Sequence, residues 1–161
     1  MKPIPSKAEL RSELVVRLRT DLMALERAQR AAIEAATHEE SKPENDKDTR
    51  ALEASYLARG QAMRLSELSV GLAEVTAFVL RAFGEDSPIA LGALVTLESD
   101  EGEATFFLAP HGGGVTLDGG TIGVVTTRSP LGLALLGQRE GEELEVVVAG
   151  KKRESMITKV R

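Results

Sequence analysis

Residues 15–36 read VVRLRTDLMALERAQRAAIEAA, and residues 54–75 read ASYLARGQAMRLSELSVGLAEV. In each stretch a set of mostly apolar residues recurs at alternating intervals of three and four, the heptad pattern of helices that pack along one stripe. The pattern predicts two amphipathic helices. We call the two sets together the seam: Val15, Leu18, Leu22, Leu25, Gln29, Ala32 and Ala36, and Ala54, Ala58, Gln61, Leu65, Leu68, Leu72 and Val75.

The seam matches itself when the chain is folded back. Facing residues of an antiparallel hairpin have numbers with a constant sum, and here every pair adds up to 90. Val15 then faces Val75, three leucine pairs follow, Gln29 faces Gln61, and alanine faces alanine toward the tip. The sequence therefore predicts an antiparallel coiled-coil hairpin with arms of about 30 residues, about 45 Å long. Its glutamine pair is typical of a polar contact that fixes register.

Capping signals and glycine content predict the limits of the hairpin. A capping box of Ser6 and Glu9 starts the first helix, and Ser41 with Glu44 repeats the pattern for the second, so the tip falls at about residues 38–47. Gly84 can end the second helix, and twelve of the fifteen glycines follow it. We therefore predict two domains, 1–84 and 85–161.

The second half alternates in the manner of β-strands. Strands are predicted at 91–98, 103–109, 121–127, 142–149 and 153–160, separated by glycine clusters. One short helix interrupts them, with Ser129 as N-cap, Pro130 in the first turn and Gly137 as the stop. The predicted fold class is α+β, a helical hairpin followed by a small antiparallel sheet domain with one short helix.

Composition excludes several classes of function. The chain has no cysteine, which excludes disulfides and thiolate metal sites. Aromatic residues make up 3% and the net charge is −5, which argues against base-stacking platforms and against direct, sequence-specific binding of nucleic acid. No apolar run reaches the ~20 residues of a membrane span, so we expect a cytoplasmic protein without a membrane contact.

The predicted tip is the most acidic part of the helical half. Residues 39–48 carry five carboxylates and two lysines. Carboxylates on an exposed tip can bind Mg²⁺ together with water and phosphate oxygens. Acidic residues in the first turn of a helix are also favoured by the helix dipole without any metal. Both interpretations of the tip remain open at this stage.

Three stretches of the second half resemble a known family. The run SPLGLALLG at 129–137, with GEELEV at 141–146 and GALV at 92–95, is similar to the C-terminal domain of bacterial GreA/GreB transcription elongation factors. The hairpin, with Glu44 and Asn45 at its tip, looks like the N-terminal coiled coil of that family. The resemblance implies an FKBP-like fold for residues 85–161.

The resemblance also implies a partner and a mechanism. Such factors dock their C-terminal domain on RNA polymerase and insert the coiled coil into its secondary channel, where tip acids help to hold a Mg²⁺ ion of the active centre. The implied Mg²⁺ ligands, shared with the polymerase, are Glu40 and Glu44. We expect a monomer that reaches nucleic acid only through the polymerase and has no enzymatic activity of its own. The implied polymerase contacts are Glu39, Ser41, Asn45, Asp46 and Asp48 at the tip, and Ser129, Pro130, Leu131 and Leu133 in the short helix.

The sequence departs from the family pattern at functional positions. Ser41 stands where the family has a metal-binding aspartate, Asp48 where it has a tyrosine, and Leu133 where it usually has an arginine. These departures imply that stimulation of transcript cleavage is lost or altered.

Three other functions remain as alternatives. One is an active cleavage factor that uses Glu40 and Glu44. Another is a coiled-coil adaptor that does not bind polymerase. The third is a prolyl isomerase, which is disfavoured because Phe106 and Phe107 alternate in direction along one strand.

Overall fold

The computed structural model describes residues 2–37, 49–148 and 150–161. Two long helices, α1 (Lys7–Thr37) and α2 (Thr49–Ala77), form the N-terminal hairpin. They are followed by a six-stranded sheet and a short helix, α3 (Pro130–Leu135). The strands are β1 (Leu94–Ser99), β2 (Gly102–Ala109), β3 (Thr116–Leu117), β4 (Ile122–Thr126), β5 (Glu143–Val148) and β6 (Lys151–Val160).

The chain forms two compact units that do not follow its linear order. Residues 1–15 and 73–161 make up one unit, which we call the sheet unit. Residues 16–72 make up the other, the hairpin unit. The start of α1 and the end of α2 therefore pack with the sheet, because their side chains contribute to its core and to its hydrogen bonds.

In the hairpin unit the pattern of burial follows the seam. Within the described part of residues 16–72, every residue that is not fully exposed is a seam position except Gly71. Ala32, Ala54 and Ala58 are exposed, so the burial of the seam ends at Gln29 and Gln61. The predicted hairpin is confirmed. The half-buried or buried seam positions in this unit are Leu18, Leu22, Leu25, Gln29, Gln61, Leu65, Leu68 and Leu72.

The beginning of α1 follows its capping box. The Ser6 amide donates to the Glu9 carboxylate at 2.7 Å, and the Glu9 amide donates to Ser6 Oγ at 3.2 Å. These reciprocal hydrogen bonds satisfy two amides that a helix start leaves without a partner. The second predicted box, Ser41 with Glu44, lies outside the described residues.

The end of α2 differs from the prediction. The helix ends at Ala77, seven residues before Gly84. Distant residues contact Phe78, the residue that follows the helix. The Arg11 guanidinium donates to the Phe78 carbonyl at 2.9 Å, and the Phe78 ring lies 6.1 Å from that of Phe107. The Phe78 amide still donates to the Glu74 carbonyl at 3.0 Å, as in a helix, and no local signal in the sequence indicates the two long-range contacts.

The sheet has the strand order β3-β4-β2-β1-β6-β5. Four neighbouring pairs are antiparallel, but β2 and β4 are parallel, with Thr105 opposite Ile122. The sheet is therefore mixed, whereas the sequence predicted an antiparallel one. The segment between β2 and β4 is long enough for the crossover that parallel strands need, and it contains β3, which the sequence did not predict.

The two faces of the sheet carry different cores. On one face Phe106 packs against a buried cluster that includes Leu108, Leu135 and Ile157 and lies under α3. Phe107 points to the opposite face, where its ring meets that of Phe78. The alternation that the sequence predicted for the two phenylalanines is thus present, and each of them belongs to a packed core.

Charged side chains attach the start of α1 to the sheet. The Glu13 carboxylate accepts from the Asp118 amide at 3.1 Å, and Lys2 forms an ion pair with Asp118 at 2.6 Å. Asp118 has a φ of 50°, and it begins the 3-10 turn between β3 and β4. Lys7 donates to the carbonyls of Arg81 and Arg161. These bonds fix the first turns of α1 within the sheet unit.

Within the described ranges, neither long helix contains an apolar stretch that could span a bilayer.

Candidate functional site

The first part of the predicted site, the hairpin tip, lies outside the described residues. It comprises the acidic candidates Glu40 and Glu44, and the roles assigned to them stay predictions. The other predicted tip residues also lie outside the described residues: Glu39, Ser41, Asn45, Asp46 and Asp48.

The second part, helix α3, is held by its own capping residues. Ser129 is the N-cap, and its Oγ accepts from the Gly132 amide at 3.0 Å while donating to the Thr126 carbonyl at 2.9 Å. Pro130 occupies the first turn, where its missing amide costs nothing. This arrangement is the one that the serine-proline signal predicted.

Gly132 lets α3 lie directly against the end of β4. A Cβ atom at this position would stand 1.8 Å from the Thr126 carbonyl oxygen. A backbone atom cannot move aside as a flexible side chain can, so only glycine fits here. Beyond the helix, Ile89 and the segment after Leu136 exchange backbone hydrogen bonds of 2.8 Å, through Gly137 and Gln138.

Leu133 is the exposed apolar residue of α3. Its side chain is 60% exposed, and Leu136 at the end of the helix is 36% exposed. Leu135 is fully buried, and Leu131 packs against the core cluster. Of the predicted contact residues, Leu133 and Pro130 therefore face solvent, whereas Ser129 and Leu131 also hold the helix in place.

The arrangement offers an apolar contact on a rigid support. Both ends of α3 are fixed by hydrogen bonds, and one of its faces is built into the core. The backbone that carries Leu133 therefore has little conformational freedom to lose on binding. Such a surface can dock a partner protein, and it holds no group that could act in acid-base or nucleophilic chemistry.

The shifted pKa values in the sheet unit belong to side chains that make structural contacts. Hydrogen bonds from Lys2 and Thr121 lower the pKa of Asp118, and hydrogen bonds from Ser6 lower the pKa of Glu9. Desolvation, together with the nearby charge of Arg81, lowers the pKa of Lys7. The Lys7 ammonium also lies 4.7 Å from the centre of the Phe83 ring. The contacts of Lys7 and the contact between Glu13 and Asp118 attach α1 to the sheet, and sequence analysis missed them because the partners lie 74 to 154 residues apart in the chain.

The described part of the chain has an open, charged depression but no cluster of potential metal ligands. Residues 2–37, 49–148 and 150–161 contain no group of three or more potential metal ligands. An open depression lies between the β1–β2 turn and the β5–β6 hairpin, lined by side chains of both charges. Some of these charges pair with each other, as do Lys152 with Glu145 at 3.3 Å and Arg153 with Glu101 at 3.0 Å.

The described chain thus consists of a helical hairpin and a small mixed sheet with a capped short helix, which exposes one leucine. Residues 85–161 match the family model described as "Transcription elongation factor, GreA/GreB, C-term". Residues 85–161 are therefore similar to the C-terminal domain of the GreA/GreB family.

Several solved structures are similar to the chain. The Thermus thermophilus protein GreA factor homolog 1 (Gfh1) is 21% identical, with 91% of this chain and 94% of that chain covered and a TM-score of 0.40. Thermus aquaticus Gfh1 is 20% identical, with 90% and 92% covered and a TM-score of 0.41. A GreA/GreB elongation factor from Nitrosomonas europaea is 20% identical, with 60% and 78% covered and a TM-score of 0.37. No curated protein matches the sequence of the chain.

Proposed function

We propose that this chain is a cytoplasmic regulator that binds bacterial RNA polymerase. In this proposal the sheet unit docks on the polymerase through α3, and the hairpin enters the secondary channel. The single observation that carries it is the family match of residues 85–161, which covers the complete described sheet with its short helix. The chain itself catalyses no reaction, and it reaches nucleic acid only through the polymerase.

The chemistry of α3 supports docking by apolar contact. Leu133 stands where the family usually carries an arginine, and it is 60% exposed on a helix whose ends are fixed. Burying an exposed leucine in a partner contributes about 1.5–3 kcal/mol. The polymerase surface that receives Leu133 is therefore apolar in this proposal, instead of a carboxylate suited to arginine.

The sequence of the tip supports a loss or change of the stimulation of RNA cleavage. Glu40 and Glu44 would hold Mg²⁺ jointly with the polymerase, and the ion would supply the Lewis acidity that activates a water for RNA cleavage. Ser41 provides no carboxylate at the position where the family has its aspartate. We therefore propose that the factor occupies the channel and modulates the polymerase, with cleavage stimulation lost or altered.

Binding of the full-length chain to core RNA polymerase tests the docking. The Leu133→Glu variant places a charge in the apolar contact, and we expect it to bind about tenfold or more weakly. The matched control is Val147→Glu, because Val147 is 55% exposed on β5 and lies opposite Lys152, which tolerates a carboxylate. Absence of wild-type binding at micromolar concentration, or equal loss in both variants, would contradict the proposal.

Stalled, backtracked transcription complexes in Mg²⁺ test the effect on cleavage. We expect the factor to shorten the RNA no faster than polymerase alone. Efficient shortening that disappears in Glu40→Ala or Glu44→Ala would instead establish the chain as an active cleavage factor. Docking would then stand while the proposed loss of cleavage would be wrong.

A further inference from the structure

Helix α2 carries a second apolar stripe that the hairpin does not use. The exposed fractions of its side chains are 61% for Tyr56, 62% for Met63 and 55% for Val70. These three residues are spaced by seven, which places them along one line of the helix. Leu52, which is 56% exposed, extends the line toward the start of α2. We call these four residues the outer stripe.

The outer stripe lies on the side of α2 away from the seam. At 100° per residue, Met63 is about 160° around the helix axis from Gln61 and from Leu65. Both of those residues are half-buried seam positions, while Met63 is exposed. The outer stripe therefore cannot contribute to the packing of the hairpin itself.

Helix α1 also exposes large apolar side chains, at Val16, Met23 and Ile33, but they lie on a more highly charged helix. Charged side chains occupy eleven of the 31 positions of α1, but only six of the 29 positions of α2. The side of α1 opposite its seam includes Arg27, Arg30 and Glu34, which is typical of a solvated helix face. Depletion of charge around exposed aromatic and methionine side chains marks the centre of a protein interface.

The outer stripe is complementary to itself. We propose that a second copy of this chain docks on it, with the two α2 helices antiparallel about a two-fold axis that passes through Met63. Facing residues then have numbers that add up to 126, so Met63 meets Met63 of the second copy and Tyr56 meets its Val70. An isologous contact of this kind needs one surface that matches its own rotated image.

The charges beside the outer stripe match in the same register. Arg59 and Glu67 lie four residues before and four residues after Met63, on opposite flanks of the stripe. The two-fold axis brings Arg59 of each copy level with Glu67 of the other. The contact therefore contains two equivalent Arg–Glu ion pairs. Other registers of the antiparallel pair separate these charges.

Small residues permit the helices to approach at the same point. Gly60 lies level with Ser66 of the second copy in this register, at the margin of the contact. A Cβ atom built at Gly60 has no atom within 4 Å, so the surface there is open. The Arg59 guanidinium lies 6.0 Å from the centre of the Tyr56 ring, which positions it along the stripe before any partner arrives.

The size of the surface predicts weak, reversible association. A single helix face is smaller than the ~800 Å² per partner of a standard interface. We therefore expect a dissociation constant in the micromolar range, which revises the monomer expected from sequence. Self-association does not depend on polymerase, so its failure would leave the proposed function untouched.

Sedimentation velocity of the full-length chain over a range of micromolar concentrations tests the proposal. We expect a monomer-dimer equilibrium, with a dissociation constant raised about tenfold in Arg59→Glu and in Glu67→Arg. The double variant R59E/E67R restores both ion pairs and is expected to return the constant to within about threefold of wild type. A monomer at every concentration, or a double variant no better than the single ones, would overturn the two-fold arrangement.

A second pair of variants tests the position of the axis. Met63→Glu places two carboxylates together at the axis and is expected to abolish the dimer, with unchanged helix content by circular dichroism. Met23→Glu is the matched control, because Met23 is 49% exposed on α1. Equal weakening by both variants, or dimerisation that survives Met63→Glu, would contradict the proposal.

Discussion

The sheet unit and the hairpin unit are stabilised in different ways. The sheet unit buries most of the core side chains, among them Phe107 and Leu135. At Gly132 its backbone is packed so closely that a Cβ atom would not fit. The described part of the hairpin unit relies on one seam whose leucines are mostly half-buried. The difference teaches that the sheet unit is specified by close packing, while the hairpin tolerates substitution on most of its surface.

The largest difference in stability is expected between alanine substitutions of two glycines, one in each unit. Gly132→Ala forces a Cβ atom to within 1.8 Å of the Thr126 carbonyl oxygen, and we expect a loss of more than about 3 kcal/mol in the free energy of unfolding. Gly60→Ala adds a methyl group to an open helix surface and is expected to stabilise by about 0.5–1 kcal/mol. Urea unfolding of both variants measures the contrast. Equal effects of the two substitutions would show that close packing does not distinguish the units.

An intermediate contrast is expected between two leucines. Leu135→Ala empties a fully buried position of the sheet unit and should cost about 2–5 kcal/mol. Leu25→Ala removes a half-buried seam side chain and should cost about 1–2 kcal/mol, because water can reach the site. Thermal unfolding followed by circular dichroism measures both. A larger loss for Leu25→Ala would mean that the seam, rather than the sheet core, limits stability.

The smallest effect is expected from pH. Hydrogen bonds from Lys2 and Thr121 lower the pKa of Asp118 below its ordinary value of 3.8. The stabilisation is therefore fully present above the ordinary pKa and is lost as the pH falls through the lower pKa of the folded state. Asp118→Asn should flatten the fall in melting temperature below about pH 4. The control is Asp86→Asn, and an unchanged acid slope in Asp118→Asn would contradict the assigned contact.

Local signals predicted the parts of the fold that depend on neighbouring residues. Ser6 with Glu9, and Ser129 with Pro130, placed the starts of two helices correctly because a cap is formed within three residues. The seam was predicted because a heptad pattern reports burial directly, and its burial stops at the glutamine pair.

Long-range contacts decided what the sequence could not show. At the end of α2, Arg11 and Phe107 contact Phe78, and β2 pairs with β4 in parallel across a connection that contains β3. Strand β3 has two residues, too few to show an alternating pattern.

The candidate site was predictable to different degrees in its two parts. The SPLGLALLG run identified α3, but only the structure separates Leu133, which is exposed, from Leu131, which packs against the core. The tip residues from Glu39 to Asp48 fall among residues 38–48, outside the described ranges, so their roles still rest on the resemblance alone.

The most direct test of the account is the position of the hairpin tip in a complex with core RNA polymerase. The chain contains no cysteine, so Ser41→Cys provides a unique attachment point for a photocrosslinker, and Val147→Cys provides a control in the sheet unit. We predict that the probe at residue 41 crosslinks to the polymerase segments around the active-centre Mg²⁺, while the probe at residue 147 does not. Crosslinks from residue 41 only to the outer surface of the polymerase, or no crosslinks at all, would contradict insertion of the hairpin.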